Sequence, residues 1–144
     1  MKRNFLSVYR RGKAAVRTGL ARDAAGKRRK GMLIQKLNEN WQMCINNTEE
    51  FMPAAVPGSV YQDLLDNNKM EDPYYRDNEL KALKIMENDF TYVTCFDVPE
   101  DIREREEVLL HFDGIDTIGD IYLNGTLLGH VKNMHRIWEY SVKN

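Results

Sequence analysis

The chain has 144 residues and a formal net charge of −1, a length that fits one domain. No apolar run approaches the roughly 20 residues of a membrane-spanning helix, so the sequence argues against a membrane protein of that kind. The near-neutral total hides two compositions: residues 1–31 hold eleven Lys and Arg against Asp23 alone, a net of +10, which leaves −11 for the remainder.

In the basic segment no apolar stretch leads into a small-residue cleavage site, so it does not read as a secretory signal, and a cytoplasmic location is favoured. Its Arg-rich, acid-poor composition also fits a mitochondrial presequence or a nucleic-acid arm. Phe5 and Tyr9 are its only aromatic residues, too few for a base-stacking platform, which argues against nucleic acid as partner. High charge with low hydrophobicity predicts a disordered leader over residues 1–31, with Leu6, Val8, Ala14, Ala15 and Val16 allowing a weak amphipathic turn.

From residue 32 the pattern changes to that of a folded domain running to residue 144. Trp41, Met43 and Ile45 share one face of a first strand, which Asn46, Asn47 and Thr48 end. Pro57-Gly58 marks a turn. Ser59, with Gln62 three residues on, has the capping-box spacing for a short helix. Tyr61, Leu64 and Leu65 fall on one face of that helix, and Asn67-Asn68 closes it. Leu80, Leu83, Lys84 and Met86 suggest two further helical turns. Phe90, Tyr92, Thr94, Phe96 and Val98 then alternate with Thr91, Val93, Cys95 and Asp97, the clearest strand in the chain, which Pro99 stops. The charged run Arg103–Glu107 reads as a solvated loop. Val108, Leu110 and Phe112 form the next strand. Gly119, Ile121 and Leu123 lead into Asn124-Gly125 and a return through Leu127–Val131; Asn-Gly between two apolar runs signals a type I′ hairpin, whose two central residues need positive φ. Ile137, Trp138, Tyr140 and Val142 suggest a last strand. Short strands separated by turns at this spacing indicate an all-β antiparallel sandwich with a short helical insertion after the first strand.

Little else in the sequence carries chemistry. Cys44 and Cys95 have no CxxC partner and no His at metal-ligand spacing, so two buried free thiols are expected, which favours a reducing compartment. His111, His130 and His135 fall on different elements, which speaks against a metal centre. No phosphate or dinucleotide loop is present, and no cofactor is expected. The feature left over is Asp72–Glu79, dense in charged and aromatic side chains. Such residues are costly to bury unless each polar group is paired, so the loop is either a structural turn or a recognition surface.

Several segments taken together, in order and at their spacing, resemble a known family. They are Trp41-Gln-Met, Val56-Pro-Gly-Ser-Val60, Asp72-Pro-Tyr-Tyr-Arg-Asp-Asn-Glu79, Phe90-Thr-Tyr92, Phe112-Asp-Gly-Ile-Asp-Thr117, Tyr122-Leu-Asn-Gly125 and Asn133-Met134. From about Leu37 to Asn144 the chain is similar to the amino-terminal domain of β-mannosidases of glycoside hydrolase family 2. The loop Asp72–Glu79 draws the resemblance toward β-mannosidases within that family. The resemblance implies a galactose-binding-like jelly roll, here truncated, preceding an immunoglobulin-like domain and a (β/α)8 barrel. It implies retaining hydrolysis of terminal β-D-mannose by two glutamates about 5–5.5 Å apart. Both belong to the barrel, so no catalytic residue is expected in this chain, and it is expected to be inactive alone. Its partner would be a β-mannoside or mannose-containing glycan bound through the catalytic domain. On this reading Tyr74, Tyr75, Arg76, Asp77, Asn78 and Glu79 shape the sugar pocket of the full enzyme: a tyrosine stacks on a sugar face and Arg76 grips a carboxylate. The alternative is a free-standing carbohydrate-binding module. A truncated sandwich would also leave a sheet edge open to self-association.

Overall fold

The computed structural model describes residues 4–9, 16–17, 33–46 and 48–143. In chain order these form β1 (Asn4–Tyr9), β2 (Val16–Arg17), β3 (Gln42–Ile45), β4 (Met52–Pro53), α1 (Val60–Asp66), α2 (Asn78–Ile85), β5 (Phe90–Phe96), α3 (Glu100–Arg103), β6 (Leu109–Phe112), β7 (Gly119–Leu123), β8 (Thr126–Val131) and β9 (Trp138–Ser141). A six-stranded sheet has the order β4-β3-β5-β1-β7-β8, and a three-stranded sheet has the order β2-β6-β9. The pairings in both sheets are antiparallel. The expected all-β sandwich is therefore present; its helical insertion, expected after the first strand, lies between β4 and β5, with four strands before it.

The alternating pattern of residues 90–98 becomes β5, in which Phe90 and Tyr92 are buried. Its opposite face is partly covered as well: Thr91 donates its hydroxyl to Asn46 Oδ1, and Val93 is buried. That cover ends at Cys95, which is exposed, whereas Cys44 is buried; both thiols are free. The expectation of two buried thiols thus holds for Cys44 and fails for Cys95. The Asn-Gly hairpin joins β7 to β8 as the sequence predicts, with positive φ at Asn124 (50°) and Gly125 (81°).

The two sheets share one buried cluster. Leu6, Met43, Phe90, Tyr92, Ile121 and Val131 come from the larger sheet, and Leu110 and Phe112 from the smaller. Tyr140 of β9 packs edge-on against Phe112, with ring centroids 6.4 Å apart, a favoured aromatic geometry. The Tyr140 ring also lies so close to Gly129 of β8 that a Cβ there would stand 2.8 Å from it. Glycine at 129 is what lets the hairpin approach the smaller sheet.

The basic segment departs from expectation. Asn4–Tyr9 is a strand between β5 and β7, and Val16–Arg17 pairs with β6. These two stretches correct the reading of residues 1–31 as a disordered or weakly helical leader; the remainder of that segment lies outside the described residues. Strand formation follows from register: once Leu6 faces the core at 0% exposure, the extended backbone on either side of it completes its hydrogen bonds with β5 and β7.

Candidate functional site

The stretch Asp72–Glu79 follows α1 and runs into the first turn of α2, so these two helices set its position. Ser59 caps α1 as predicted, its Oγ accepting from the Gln62 N–H at 3.3 Å. The reciprocal half of the capping box does not form, because Gln62 Nε2 donates to Asp66 Oδ1 at 2.7 Å. Of the predicted apolar face, Leu64 is fully buried, Leu65 is half-buried and Tyr61 is exposed.

The strongest tie of α1 to the sheet is one the sequence does not signal. Asp63 is 2% exposed. Its Oδ2 accepts from the Tyr92 hydroxyl at 2.6 Å, and its Oδ1 accepts from the Ala55 N–H at 2.8 Å. Burial and the facing Asp63 carboxylate push the Tyr92 phenol well above the usual tyrosine range. Asn67 fixes the other end of the helix, its Nδ2 donating to Pro53 O at 2.8 Å and Asp63 O at 2.7 Å.

The loop itself is organised by Asp72. Its Oδ1 accepts from the Tyr74 N–H at 2.9 Å, the aspartate turn that an Asp-Pro pair favours. Its carbonyl accepts from the Tyr75 N–H at 3.1 Å and from Asn78 Nδ2 at 3.1 Å. Asn78 is therefore a buried clip that holds the loop closed. Arg76 adopts a left-handed backbone, φ 55°, and its guanidinium lies 5.1 Å from the Tyr75 ring centroid, within cation–π range. Tyr74 projects into solvent at 96% exposure, and Asp77 and Glu79 are also exposed. Beside the loop is an open recess of about 650 Å³, lined by Lys69, Met70, Glu71, Asp72, Tyr75 and Asn78 among others.

Of the six residues singled out from sequence, Tyr75 and Asn78 line this recess, and Tyr74, Arg76, Asp77 and Glu79 sit on the surface around it. α2 carries that surface onward. Its buried positions are Asn78 and Ala82, while Leu80 and Leu83 are 69% and 53% exposed. The helix predicted over Leu80–Met86 exists, but those two leucines face away from the core.

The histidines are engaged separately. His111 lies between Glu139 (2.8 Å) and Asp113 (3.2 Å), and His130 contacts Asp120. Among the described residues no group of three His, Cys, Asp or Glu side chains is placed to hold a metal ion, and no helix is long and apolar enough to cross a membrane.

Residues 41–144 match the sequence family described as glycosyl hydrolase 2 galactose-binding domain-like. The β-mannosidase of Mus musculus is 34% identical over 108 residues, covering 75% of this chain and 12% of the relative. β-Mannosidase B of Aspergillus terreus is 43% identical over 96 residues, or 64% of this chain and 11% of the relative. The crystal structure of the β-D-mannosidase from Dictyoglomus thermophilum superposes with a TM-score of 0.72 at 34% identity, over 75% of this chain and 13% of that one. The chain thus spans about an eighth of the length of the relatives it matches.

Proposed function

Because the chain belongs to the glycosyl hydrolase 2 galactose-binding domain-like family, we propose that it serves as the amino-terminal domain of a β-mannosidase. The observation that carries this reading is the agreement of sequence and fold, each over 75% of the chain, at 34% identity and a TM-score of 0.72. The whole enzyme would release terminal β-D-mannose from a β-mannoside or mannose-containing glycan, using two glutamates of its catalytic barrel. This domain would supply no catalytic group. Asp63, the carboxylate buried among the described residues, is enclosed in the sandwich and committed to Tyr92 and the Ala55 N–H, so it is unavailable to a substrate.

The domain's contribution would be a shaped surface. Asp72 and Asn78 tie the loop together by hydrogen bonds, the recess beside it is lined by polar groups together with Met70 and Tyr75, and Tyr74, Tyr75 and Arg76 offer flat faces of the kind that meet sugars and domain interfaces. Leu80 and Leu83 extend the same surface with apolar area suited to contact with the rest of the enzyme.

A chimera tests the reading. Residues 1–144 would replace the matching segment of the Dictyoglomus thermophilum enzyme together with what precedes it, so that β1 is retained, and hydrolysis of a chromogenic β-mannoside would be followed. The chimera is expected to hydrolyse the substrate and the isolated chain to give no turnover above blank. A folded but inactive chimera, or turnover by the isolated chain, contradicts the proposal.

The exposure of Tyr74 beside the recess favours a second reading, a carbohydrate-binding module. Calorimetric titration with mannose oligomers separates the two. Heat of binding that Tyr74→Ala abolishes supports the module, and absence of heat leaves the enzyme-domain reading in place.

A further inference from the structure

β1 stands apart from every other strand of its sheet. The family match begins at residue 41, and β1 lies wholly before it, yet β1 is the fourth of six strands in the larger sheet. The family-matched strands of that sheet fall into two groups, β4-β3-β5 and β7-β8, and β1 bridges them. It pairs with β5 at six positions, from Asn4↔Phe96 to Tyr9↔Thr91, and with β7 at four, from Leu6↔Leu123 to Tyr9↔Asp120. An empty cleft there would leave two facing strand edges with unpaired backbone groups, which is a template for any extended segment. Leu6, at 0% exposure, supplies the inward side chain that such a segment needs.

We propose that the cleft between β5 and β7 is a strand-acceptor site, filled in cis by Asn4–Tyr9 and open in trans to Asn4–Tyr9 of a second copy of this chain. The contacts made would be the same in either case, which is why strand exchange is a low-cost route to a dimer. Reach permits it. With β2 crossing over together with β1, the fifteen residues 18–32 between β2 and Leu33 span up to about 50 Å when extended, whereas a compact chain of this length has a radius of gyration of about 15 Å. Charge does not oppose it, since the segment 1–31 carries +10 and the remainder −11, so the arm is drawn to an acidic body, whether its own or that of another copy.

The register provides a test in the 144-residue chain. Phe5 lies opposite Cys95, and Cys95 is exposed. Opposed residues of an antiparallel pair lie within disulfide reach. With Cys44→Ala as background, Phe5→Cys is expected to give an intrachain 5–95 disulfide at low protein concentration, and adding Ser7→Pro, which removes a backbone donor from the strand, is expected to abolish it. Two differently tagged chains are then refolded together at high concentration, one carrying Phe5→Cys with Cys95→Ala and the other retaining Phe5 and Cys95. A 5–95 disulfide between them, identified by mass spectrometry, is expected. Failure of the intrachain disulfide overturns the assignment of the cleft's occupant. An intrachain disulfide without the interchain one overturns exchange between copies.

Discussion

α1 and α2 are consecutive helices of seven and eight residues, and they meet the sandwich in opposite ways. α1 inserts Leu64 into the core and ties itself to β5 through Asp63 and Tyr92. α2 sends Ala82 and Asn78 inward and leaves Leu80 and Leu83 in water. Both helices contain leucines one turn apart or adjacent, so apolar content does not decide which face docks. For α1 the decision is made by a buried carboxylate with two donors waiting for it. For α2 it is made by the clip between Asn78 and Asp72, which fixes the start of the helix and so its rotation. A helix secured by these polar contacts can keep leucines outward.

Substitutions should separate the two helices by size of effect. Leu64→Ala should cost the most, about 2–5 kcal/mol, because it opens a cavity in a fully buried position. Chemical denaturation would show it as a lowered midpoint.

Tyr92→Phe should cost less, about 1.5–3 kcal/mol, since it removes a hydrogen bond to a buried carboxylate and leaves Asp63 Oδ2 without that donor. The same residue predicts a pH dependence. The Tyr92 phenol is raised in the folded protein, so the folded state holds its proton more tightly than the unfolded chain does. The stability this confers is fully present below about pH 10, the ordinary tyrosine value, and is lost as pH rises beyond it. Melts of Tyr92→Phe against wild type from pH 8 to 11 should therefore show a shallower alkaline decline in the variant.

Ser59→Ala should cost about 1 kcal/mol through loss of the α1 cap, again read from the denaturation midpoint. Leu80→Ser with Leu83→Ser should be smallest, within about 0.5 kcal/mol per site. A thermal melt of that double variant falling as far as that of Leu64→Ala would mean that α2 is docked through its leucines after all.

These differences also show what could be read from sequence. The hairpin was readable because Asn124-Gly125 has one strong backbone preference and sits between apolar runs. β5 was readable because its period-two alternation extends over nine residues. The α1 cap was readable from Ser59 alone, whereas its box partner Gln62 found a nearer acceptor in Asp66. The role of Asp63 was not readable, since its partners Ala55 and Tyr92 lie 8 and 29 residues away and an aspartate early in a helix normally reports only on the helix dipole. In the loop, Asp72-Pro73 signalled the turn, but the burial of Asn78 depends on a carbonyl six residues back. β1 is not legible because eleven positive charges in the first 31 residues outweigh a short apolar alternation whose pairing partners lie more than 80 residues away.

On the proposed reading this chain is one domain of a β-mannosidase, and its outward α2 face and Asp72–Glu79 loop would meet the remainder of the enzyme. Steady-state kinetics of the Dictyoglomus thermophilum chimera, with and without Leu80→Ser and Leu83→Ser, tests it most directly. The chimera is expected to hydrolyse a chromogenic β-mannoside, and the double substitution to lower kcat/KM by tenfold or more, about 1.4 kcal/mol, while the isolated chain loses no more than about 0.5 kcal/mol of stability per site. Unchanged kcat/KM in a chimera carrying both substitutions would contradict it.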